Sequence, residues 1–586
     1  MTKMLSAKKP KMALPALLII LSILLAACGD STPTTAPATT AAGAATTAAG
    51  SATTAAGGTA TTAAAAPSGN PVKINVFAPQ GPDYDLATNA YMKLLEQKFN
   101  IQFNWQTTTY DGGPAKEKRQ ISLASGDYPD LYWLIPWVDQ FSQPDLLKYG
   151  QQGVIIPLND LIKQYAPNVQ KALDTIPDYK AMATAPDGKI YGVPQWTDCY
   201  HCSYPDKLWM NTEWLKKLNL KMPTTTEEMK DVLTAFKTKD PNGNGKADEV
   251  PLSADVRDLL IPYFMNAFIY DPQGNNGSTQ VALVLNNGKV DIQENKDGWK
   301  QGLTYIKSLY DAGLIDKGAF TQNADALKQL GDNAGAVILG SATVLHPGIF
   351  FTLGAPDGHD KQYDAVPPIK GPSGAQFAPY QFPSSPGATF VLTNKASKDV
   401  QIASIKMLDY MFTQEGEIKG IFGVDDRTVV TPSAGDKALE AGVTPLYKGV
   451  TRPQGVAPYN SDIGALAQYN NTKEFRAAQV VPDDIYSPEG YERRLYQATQ
   501  QYEKYSNKAM NFPSWGVWVD PSLGSEMATL QTNIQSYISQ NSLQFITGSK
   551  SLDKDWDAYV KGLEGVGLSR YLQVWQDAYD KSSYKK

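Results

Sequence analysis

A strand–helix–strand pattern that begins at residue 72 is the feature that most limits the folds open to this chain. Apolar and polar side chains alternate over 72–76, apolar side chains recur at helical spacing over 87–95, and alternation returns over 101–105. A further helix around 119–124 leads into the apolar run 131–135, which is typical of a buried parallel strand. The sequence therefore predicts an α/β lobe with ligand groups at the carboxyl ends of its strands.

A second pattern of the same kind follows in the middle of the chain. It comprises predicted strands at 281–285, 336–339 and 390–392 and predicted helices at 299–314 and 400–412. Two α/β units in one chain indicate two lobes. We therefore predict a two-lobed α/β fold with a hinge and an interlobe cleft.

The last part of the chain, from about 525 to 579, carries a helical pattern instead of further strands. Glycines interrupt this pattern at Gly548 and again across 562–567, so several helices are expected. We expect these helices to brace one lobe. The chain beyond residue 70 is long enough to bury a large core.

The first residues form a bacterial export signal. Four lysines precede an apolar run over 12–27, and the small residues Ala26 and Ala27 stand directly before Cys28. This order predicts a lipoprotein signal peptide over 1–27, with Cys28 lipidated and left as the new N-terminus. The alternative is an ordinary cleaved signal that happens to end in cysteine.

A low-complexity segment follows the signal. Between 31 and about 70 the chain contains almost only Ala, Thr, Gly, Ser and Pro. Such a composition has no large apolar side chain to offset the entropy that ordering costs. We therefore predict that residues 28–70 form a lipid-anchored flexible tether.

The chain is acidic, with a formal net charge of −6 at pH 7. The predicted signal carries four lysines and no acid, so its removal leaves a still more acidic protein. This charge disfavours nucleic acid and anionic lipid surfaces as partners. We predict no nucleic-acid partner.

Two cysteines remain if Cys28 is lipidated, namely Cys199 and Cys202. An even number in an exported protein permits one disulfide. Their Cys-x-x-Cys spacing, with His201 between them, is also compatible with a redox or metal motif. A redox motif normally opens a helix, whereas Pro205 follows here, and the nearby sequence supplies few further zinc ligands. We therefore favour a structural disulfide between Cys199 and Cys202.

Several short segments, in their order and spacing, match one family. They are Ser-Gly-Asp-Tyr-Pro-Asp-Leu at 125–131, Gly-Lys-Ile-Tyr-Gly-Val-Pro at 188–194 with Leu-Trp-Met-Asn at 208–211, Gly-Ala-Val-Ile-Leu-Gly at 335–340, and Gln-Phe-Ile-Thr-Gly at 544–548 with Asp-Trp-Asp-Ala-Tyr at 555–559. Together these segments resemble the extracellular solute-binding proteins of ABC importers. Within that maltose-binding-like class, the chain is similar to the long lipoproteins that bind alginate oligosaccharides.

The resemblance covers nearly everything from residue 71 to the C-terminus. It implies one two-lobed solute-binding domain over 71–586, with crossing strands between the lobes and the first crossing near 192–194. It also implies an oligosaccharide as ligand, the permease subunits of an ABC importer as partner, and a location at the extracellular face of the cell membrane. We expect a monomer.

Sugars present apolar C–H faces and a rim of hydroxyls, so their sites combine aromatic platforms with hydrogen-bonding groups. In a chain of this size an aromatic residue is more often part of the core, and Trp209, Trp214 and Trp299 are assigned to packing. Aromatic residues near strand ends, near the predicted hinge or in a loop before the C-terminal helices are candidates for ligand contact. These candidates are Tyr84, Trp133, Trp137, Trp196, Tyr200, Trp515 and Trp518.

Catalysis finds little support in the sequence. The chain has three histidines, no Gly-x-Ser-x-Gly elbow and no phosphate-binding Gly-rich loop with lysine. A glycosidase needs two carboxylates at a defined distance from each other in space, and the sequence does not show that distance. We therefore predict a binding protein and no enzyme, with an exported glycoside hydrolase and a recognition lipoprotein without transport role as alternatives.

The segment 240–249 predicts a structural calcium site. Asp240, Asn242 and Asn244 stand at the first, third and fifth positions of an EF-hand-like half-loop, with glycine at the sixth and the carbonyl of Lys246 at the seventh. The usual glutamate at the twelfth position is absent. The resemblance to alginate binders implies that Asp248 and Glu249 complete the shell. The alternative is an Asx-rich turn that needs no metal.

Overall fold

The computed structural model describes residues 69–82, 84–256, 260–272, 281–453 and 456–585. The predicted signal peptide, Cys28 and nearly all of the predicted tether lie outside the described residues. Among the described helices, none has both the length and the apolar character needed to cross a membrane.

The described strands are short and are numbered in chain order. They are β1 Val72–Pro79, β2 Ile101–Thr108, β3 Leu131–Trp133, β4 Trp196–Thr197, β5 Lys207–Asn211, β6 Ser253–Ala254, β7 Val284–Asn286, β8 Lys289–Asp291, β9 Ser341–Val344, β10 Tyr363–Val366, β11 Phe390–Leu392, β12 Val429–Val430, β13 Lys448–Gly449 and β14 Asn470–Asn471.

The α-helices of the described residues surround these strands. They are α1 Ala90–Phe99, α2 Gly112–Ser125, α3 Gln143–Gln151, α4 Asn159–Tyr165, α5 Pro167–Thr175, α6 Pro177–Ala183, α7 Thr212–Lys217, α8 Thr226–Thr238, α9 Leu260–Met265, α10 Asp297–Asp311, α11 Ala324–Gly331, α12 Lys398–Met411, α13 Gln414–Phe422, α14 Lys473–Ala477, α15 Tyr491–Glu503, α16 Gly524–Thr547, α17 Trp556–Gly565 and α18 Leu568–Asp580.

Lobe 1 is built on a four-stranded sheet in the order β11-β3-β1-β2. Strand β1 pairs in parallel with β2 and β3, and β11 closes the sheet in the antiparallel direction. Side chains alternate between its faces, so Ile74 and Val76 belong to one apolar core while Phe77 belongs to another. The sheet is therefore covered on both faces, as a parallel sheet requires.

Lobe 2 has its own four-stranded sheet, in the order β10-β5-β9-β6. Only β6 and β9 pair in parallel, whereas β5 runs antiparallel to both β9 and β10. All five residues of β5 are buried, which places this strand at the centre of the lobe. The second sheet is thus mixed and mainly antiparallel, in contrast to the mainly parallel sheet of lobe 1.

The chain passes between the lobes three times. The first crossing follows Val193, which bridges Phe390 of lobe 1, and continues through β4, which pairs in parallel with β14. The second crossing lies between β10 and β11, and the third between β14 and α15. These crossing segments form the hinge region.

Two predicted strands of lobe 2 are wrong in position. In the run 336–339 only Val337 and Leu339 are buried. Leu339 makes only an isolated bridge to Val250, and the strand itself is β9, which begins at Ser341. The run 281–285 contributes to β7, which pairs with β8 in a hairpin outside both large sheets. A short apolar run indicates burial but does not by itself distinguish a strand from an extended segment that approaches a sheet.

The C-terminal helices brace lobe 2, as predicted. Helix α16 ends at Gly548, which has a left-handed backbone with φ of 80°. Phe545, Trp556 and Tyr571 of α16, α17 and α18 are all members of the lobe 2 core.

A buried ion pair fixes the loop that follows β3 in lobe 1. Arg119 of α2 donates to both carboxylate oxygens of Asp139, at 2.6 Å from Nε and 2.9 Å from Nη2. The two side chains are 1% and 3% exposed, and the guanidinium lies 4.4 Å from the centre of the Phe141 ring. Because both charges have lost water, each depends on the other.

We predict that Asp139→Asn lowers the free energy of unfolding by about 3 kcal/mol, because it leaves the buried Arg119 charge with only the more distant carboxylate of Asp145, 3.8 Å away, as counter-ion. Urea denaturation measures this change. The control is Asp311→Asn, which removes the exposed ion pair with Lys307 and is expected to change stability by less than about 1 kcal/mol. If both variants lose the same free energy of unfolding, the buried pair contributes no more stability than the exposed pair and the prediction is wrong.

Candidate ligand-binding cleft and cation loop

A cavity of about 1060 Å³ lies where the two lobes meet. Tyr84 and the segment that follows α13 line it from lobe 1, and Ser487 to Glu492 line it at the start of α15. Helix α15 belongs to lobe 2, since Leu495 and Ala498 are members of the lobe 2 core. This volume lies at the upper end of the range for small-molecule sites. The cavity therefore has room for a ligand at the large end of the sizes that such sites hold.

Aromatic side chains follow three strands of lobe 1 at their carboxyl ends. Tyr84 comes after β1, Tyr110 after β2 and Trp137 after β3. A Cβ atom placed on Gly81 would lie 3.3 Å from the Tyr84 ring and 3.4 Å from the Tyr110 ring, so both rings lie against this glycine. Burial raises the pKa of Tyr110 and the Trp137 side chain partly lowers it, so these two side chains are neighbours. These three residues are named the strand-end aromatics.

The strand-end aromatics differ in exposure. Trp137 is 62% exposed and Tyr110 is 37% exposed, which is unusual for such large side chains. Tyr84 is half-buried, and burial raises the pKa of its hydroxyl well above the usual value. Tyr84 therefore stays neutral at physiological pH. The sequence pattern alone did not lead us to Tyr110, although its position directly after a strand is the signal that selected the other two.

The charged groups of the cavity wall are largely neutralised by one another. Lys448 contacts Asp436 at 2.9 Å, and Lys437 contacts Asp483. These pairs lie on the segments that line the cavity from lobe 1 and from the stretch before α15. The wall thus offers hydroxyl, amide and aromatic groups beside charges that are already paired.

Glu492, at the edge of the same cavity, is the centre of a larger network. It accepts from Arg476 at 2.9 Å and lies 3.0 Å from Nδ1 of His201. Burial alone would raise the pKa of Glu492, but the charges and hydrogen bonds of His201 and Arg476 outweigh burial and lower this pKa to about 2. Glu492 is therefore ionised throughout the physiological range.

Trp133 and Trp196 lie in the core, which corrects their assignment as ligand contacts. Trp133 is completely buried and donates from Nε1 to the carbonyl of Leu466 at 2.7 Å. Trp196 is 5% exposed and packs edge-on against Tyr179 and Phe382. Neither residue lines the cavity. A side chain that is fully enclosed by packing has no face left for a sugar ring.

Trp515 and Trp518 connect the segment before α16 to lobe 1. The Trp515 ring stacks on Phe382 with centres 4.1 Å apart, and its Nε1 donates to Asp178 of α6 at 3.1 Å. Trp518 donates to the carbonyl of Ala181 at 3.1 Å. These contacts place both residues in an interlobe bridge and outside the cavity lining.

Tyr200 and the two cysteines lie in the loop after β4. The Tyr200 hydroxyl donates to Glu503 at 2.8 Å, so this side chain is held against α15. Cys199 and Cys202 are joined by a disulfide. His201, between them, lies 3.6 Å from the Cys199 sulfur through its Nε2.

The loop 240–249 follows α8 and is folded around the side chain of Asp240. Its carboxylate accepts from the backbone of Gly243 at 2.9 Å, Asn244 at 3.1 Å and Gly245 at 3.1 Å. Gly243 and Gly245 have φ values of 75° and 72°, a left-handed backbone that favours glycine. The tight turn therefore depends on these two glycines and on one carboxylate.

Carboxylate and amide side chains gather inside this loop. The amides of Asn242 and Asn244 donate to Asp248 at 3.0 to 3.1 Å, which brings their side chains to the same carboxylate. The Glu249 carboxylate has a buried oxygen without a hydrogen-bond partner among the described residues. Burial raises the pKa of Glu249, and Asp240 and Asp248 raise it further. Carboxylate and amide groups supply the oxygen ligands that a hard divalent cation prefers. The Glu249 oxygen that has no hydrogen-bond partner fits a role as one of these ligands.

The sequence profile of the bacterial extracellular solute-binding proteins matches residues 90–440. The chain belongs to this family. It is 30% identical over 511 residues, covering 84% of this chain and 87% of the relative, to the fructooligosaccharide ABC transporter substrate-binding protein FusA of Streptococcus pneumoniae serotype 4, strain ATCC BAA-334 / TIGR4. The family match confirms the resemblance that the sequence segments indicated.

Solved structures of members of this solute-binding family superpose on the chain. FusA of S. pneumoniae in complex with kestose gives a TM-score of 0.66 at 28% identity, and a FusA EF-hand mutant in complex with fructo-nystose gives 0.66 at 27%; each comparison covers 87% of this chain and 99% of the other. The alginate-binding protein AlgQ2 without calcium ion gives 0.64 at 23% identity over 88% of this chain and 99% of the other, a likeness of fold alone. The predicted two-lobed α/β fold is confirmed.

Proposed function

We propose that this solute-binding protein captures an oligosaccharide outside the cell and delivers it to the permease subunits of an ABC importer. The cavity between the lobes is the observation that carries the proposal, with Tyr84 in its lining and the exposed rings of Tyr110 and Trp137 at the neighbouring strand ends outside that lining. FusA, the relative with 30% identity over most of both chains, is a fructooligosaccharide-binding protein by name. This relationship makes fructooligosaccharides the first ligands to test.

The strand-end aromatics supply the surface that a sugar ring needs. An exposed indole face attracts the apolar C–H face of a sugar, and the energy of such a contact comes from removing both faces from water. Trp137 offers the largest exposed aromatic face among the described residues. Its loop is held by the Arg119–Asp139 pair two residues away, so the platform is fixed before the ligand arrives.

The interlobe position of the cavity supports capture by closure. Its walls come from both lobes, and the three crossing segments form the hinge about which they approach each other. A ligand that contacts both walls favours the closed arrangement by its extra affinity for that state. Binding then produces a shape that the importer can distinguish from the empty protein.

We propose, further, that Cys28 is the lipidated N-terminus and that residues 28–70 tether the folded body to the extracellular face of the cell membrane. The Ala26-Ala27-Cys28 sequence after an apolar run supports this anchor. Mass spectrometry of membrane-derived protein is expected to find no residue before Cys28 and a diacylglycerol on its sulfur. Cys28→Ala is expected to abolish the lipid mass, and peptides that precede Cys28 in mature protein would refute the anchor.

We predict that fructooligosaccharides such as kestose bind the protein and raise its melting temperature, because the ligand binds the folded state alone. Trp137→Ala should weaken binding by about 1 to 3 kcal/mol, since the exposed ring loses its contact with the sugar. Calorimetry measures the affinity, and chromatography of the recovered sugar tests for hydrolysis.

The control for this measurement is Ile121→Ala, because Ile121 is 59% exposed on α2, about as much as Trp137, but has no aromatic ring and does not follow a strand end. Its affinity should equal that of the unaltered protein. If no oligosaccharide raises the melting temperature, the transport proposal fails. If Trp137→Ala binds as tightly as the unaltered protein, the platform is not at the strand ends. Cleaved sugar would favour a glycoside hydrolase.

We also propose that the loop 240–249 holds a structural calcium ion, with side-chain oxygens of Asp240, Asn242, Asn244, Asp248 and Glu249 and the carbonyl of Lys246 as ligands. The unsatisfied buried oxygen of Glu249 supports this proposal. The FusA EF-hand mutant among the solved relatives also supports it, because its name places an EF-hand in that protein. When bound, the ion supplies positive charge among the three carboxylates and thereby stabilises the turn.

We predict that calcium at about 100 times its dissociation constant stabilises the protein by about 2.7 kcal/mol relative to chelator. Asp240→Ala should abolish this difference, because it removes one proposed ligand and three backbone hydrogen bonds. Lys246→Ala is the matched control, since only its carbonyl is used. Thermal unfolding with calcium and with chelator measures both variants. Equal melting temperatures in the two conditions for the unaltered protein would leave an Asx-rich turn without metal.

A further inference from the structure

The loop after β4 brings three metal-ligating side chains together. The ligand atoms of Cys199, His201 and Cys202 all lie within 4.8 Å of one another. Cys199 is nearly buried, whereas Cys202 and His201 are partly exposed, so an ion has access from one side. The disulfide occupies both sulfurs in the present state, and the site described below exists only when that bond is reduced.

The distance between His201 and Cys199 matches one edge of a zinc tetrahedron. Zinc binds thiolate sulfur at about 2.3 Å and imidazole nitrogen at about 2.0 Å, which sets the two ligand atoms about 3.5 Å apart in tetrahedral geometry. Nε2 of His201 lies 3.6 Å from Sγ of Cys199. The imidazole is therefore already at the correct separation from its sulfur neighbour.

A second observation concerns the other side of the same imidazole. Nδ1 of His201 lies 3.0 Å from Glu492, and Arg476 holds Glu492 at 2.9 Å. A carboxylate that accepts from one ring nitrogen fixes the tautomer in which the other nitrogen is free to bind a metal. The backbone N–H of Cys202 also donates to the Cys199 sulfur at 3.3 Å, a contact that stabilises a thiolate.

We infer that the dithiol form of this protein binds one Zn²⁺ through Cys199, Cys202 and Nε2 of His201, with a water as fourth ligand. A dithiol reductant first transfers two electrons and two protons to the Cys199–Cys202 bond and becomes a disulfide itself. Zn²⁺ then replaces the two thiol protons, which are released to solvent. The site is distinct from the calcium loop, whose ligands are oxygens, and it does not depend on the identity of the sugar.

The test uses the exported chain with Cys28→Ala, which leaves Cys199 and Cys202 as its only cysteines. The protein is reduced with a dithiol, desalted without oxygen, incubated with Zn²⁺ in excess calcium and desalted again. Elemental analysis is expected to find one zinc per chain in the reduced protein and none in the oxidised protein. With Co²⁺ instead, thiolate-to-metal charge-transfer absorption is expected in the reduced form alone.

Two variants separate the site from adventitious binding to thiols. His201→Gln should lose stoichiometric zinc, and Glu492→Gln should weaken zinc binding by about 10- to 100-fold, because the orienting carboxylate is gone. A circular dichroism spectrum equal to that of the unaltered protein shows that each variant folds. The inference is overturned if the reduced protein retains no zinc, if the oxidised protein retains as much, or if His201→Gln binds as tightly as the unaltered protein.

Discussion

The antiparallel strand Phe390–Leu392 is the constraint on which the rest of the structure depends. It pairs with β3 in lobe 1 although the whole sheet of lobe 2 lies between them in the sequence. The first sheet is therefore incomplete until the chain has passed through lobe 2 and returned to lobe 1. Val193 bridges the same returning strand at Phe390, so the beginning of the first crossing and the end of the second meet at one point. The hinge is in this way part of the sheet of lobe 1.

The cleft combines a rigid support with a wall on which charged side chains form ion pairs with one another. Ion pairs such as Lys448 with Asp436 neutralise part of the charge on the cavity wall, while strand ends carry aromatic faces. A neutral, hydroxylated ligand with apolar faces suits such a surface, because it needs hydrogen bonds and dispersion more than counter-ions. The same strand-end geometry that α/β proteins commonly use for ligands explains why these groups converge.

Periodicity in the sequence was sufficient to predict much of the fold. Where the predictions were wrong, the errors have physical causes. Strand β11 and helix α12 were predicted almost to the residue because clear periodicity and flanking polar residues mark their ends. The run 336–339 was mistaken for a strand because apolar character alone does not reveal strand pairing. For the site, Trp133 and Trp137 stand four residues apart at the same strand end, yet one is 0% and the other 62% exposed. Only three-dimensional packing separates them.

The contact between the C-terminal tail and lobe 1 has a consequence for the order of assembly. The Tyr584 hydroxyl donates to Asp178 at 2.6 Å, across 406 positions of sequence, and it also contacts Trp515. Because a chain is made from its N-terminus, Asp178 waits for about four hundred further residues before its partner Tyr584 exists. Molecules that stop before Tyr584 thus lack one of the ties between the lobes.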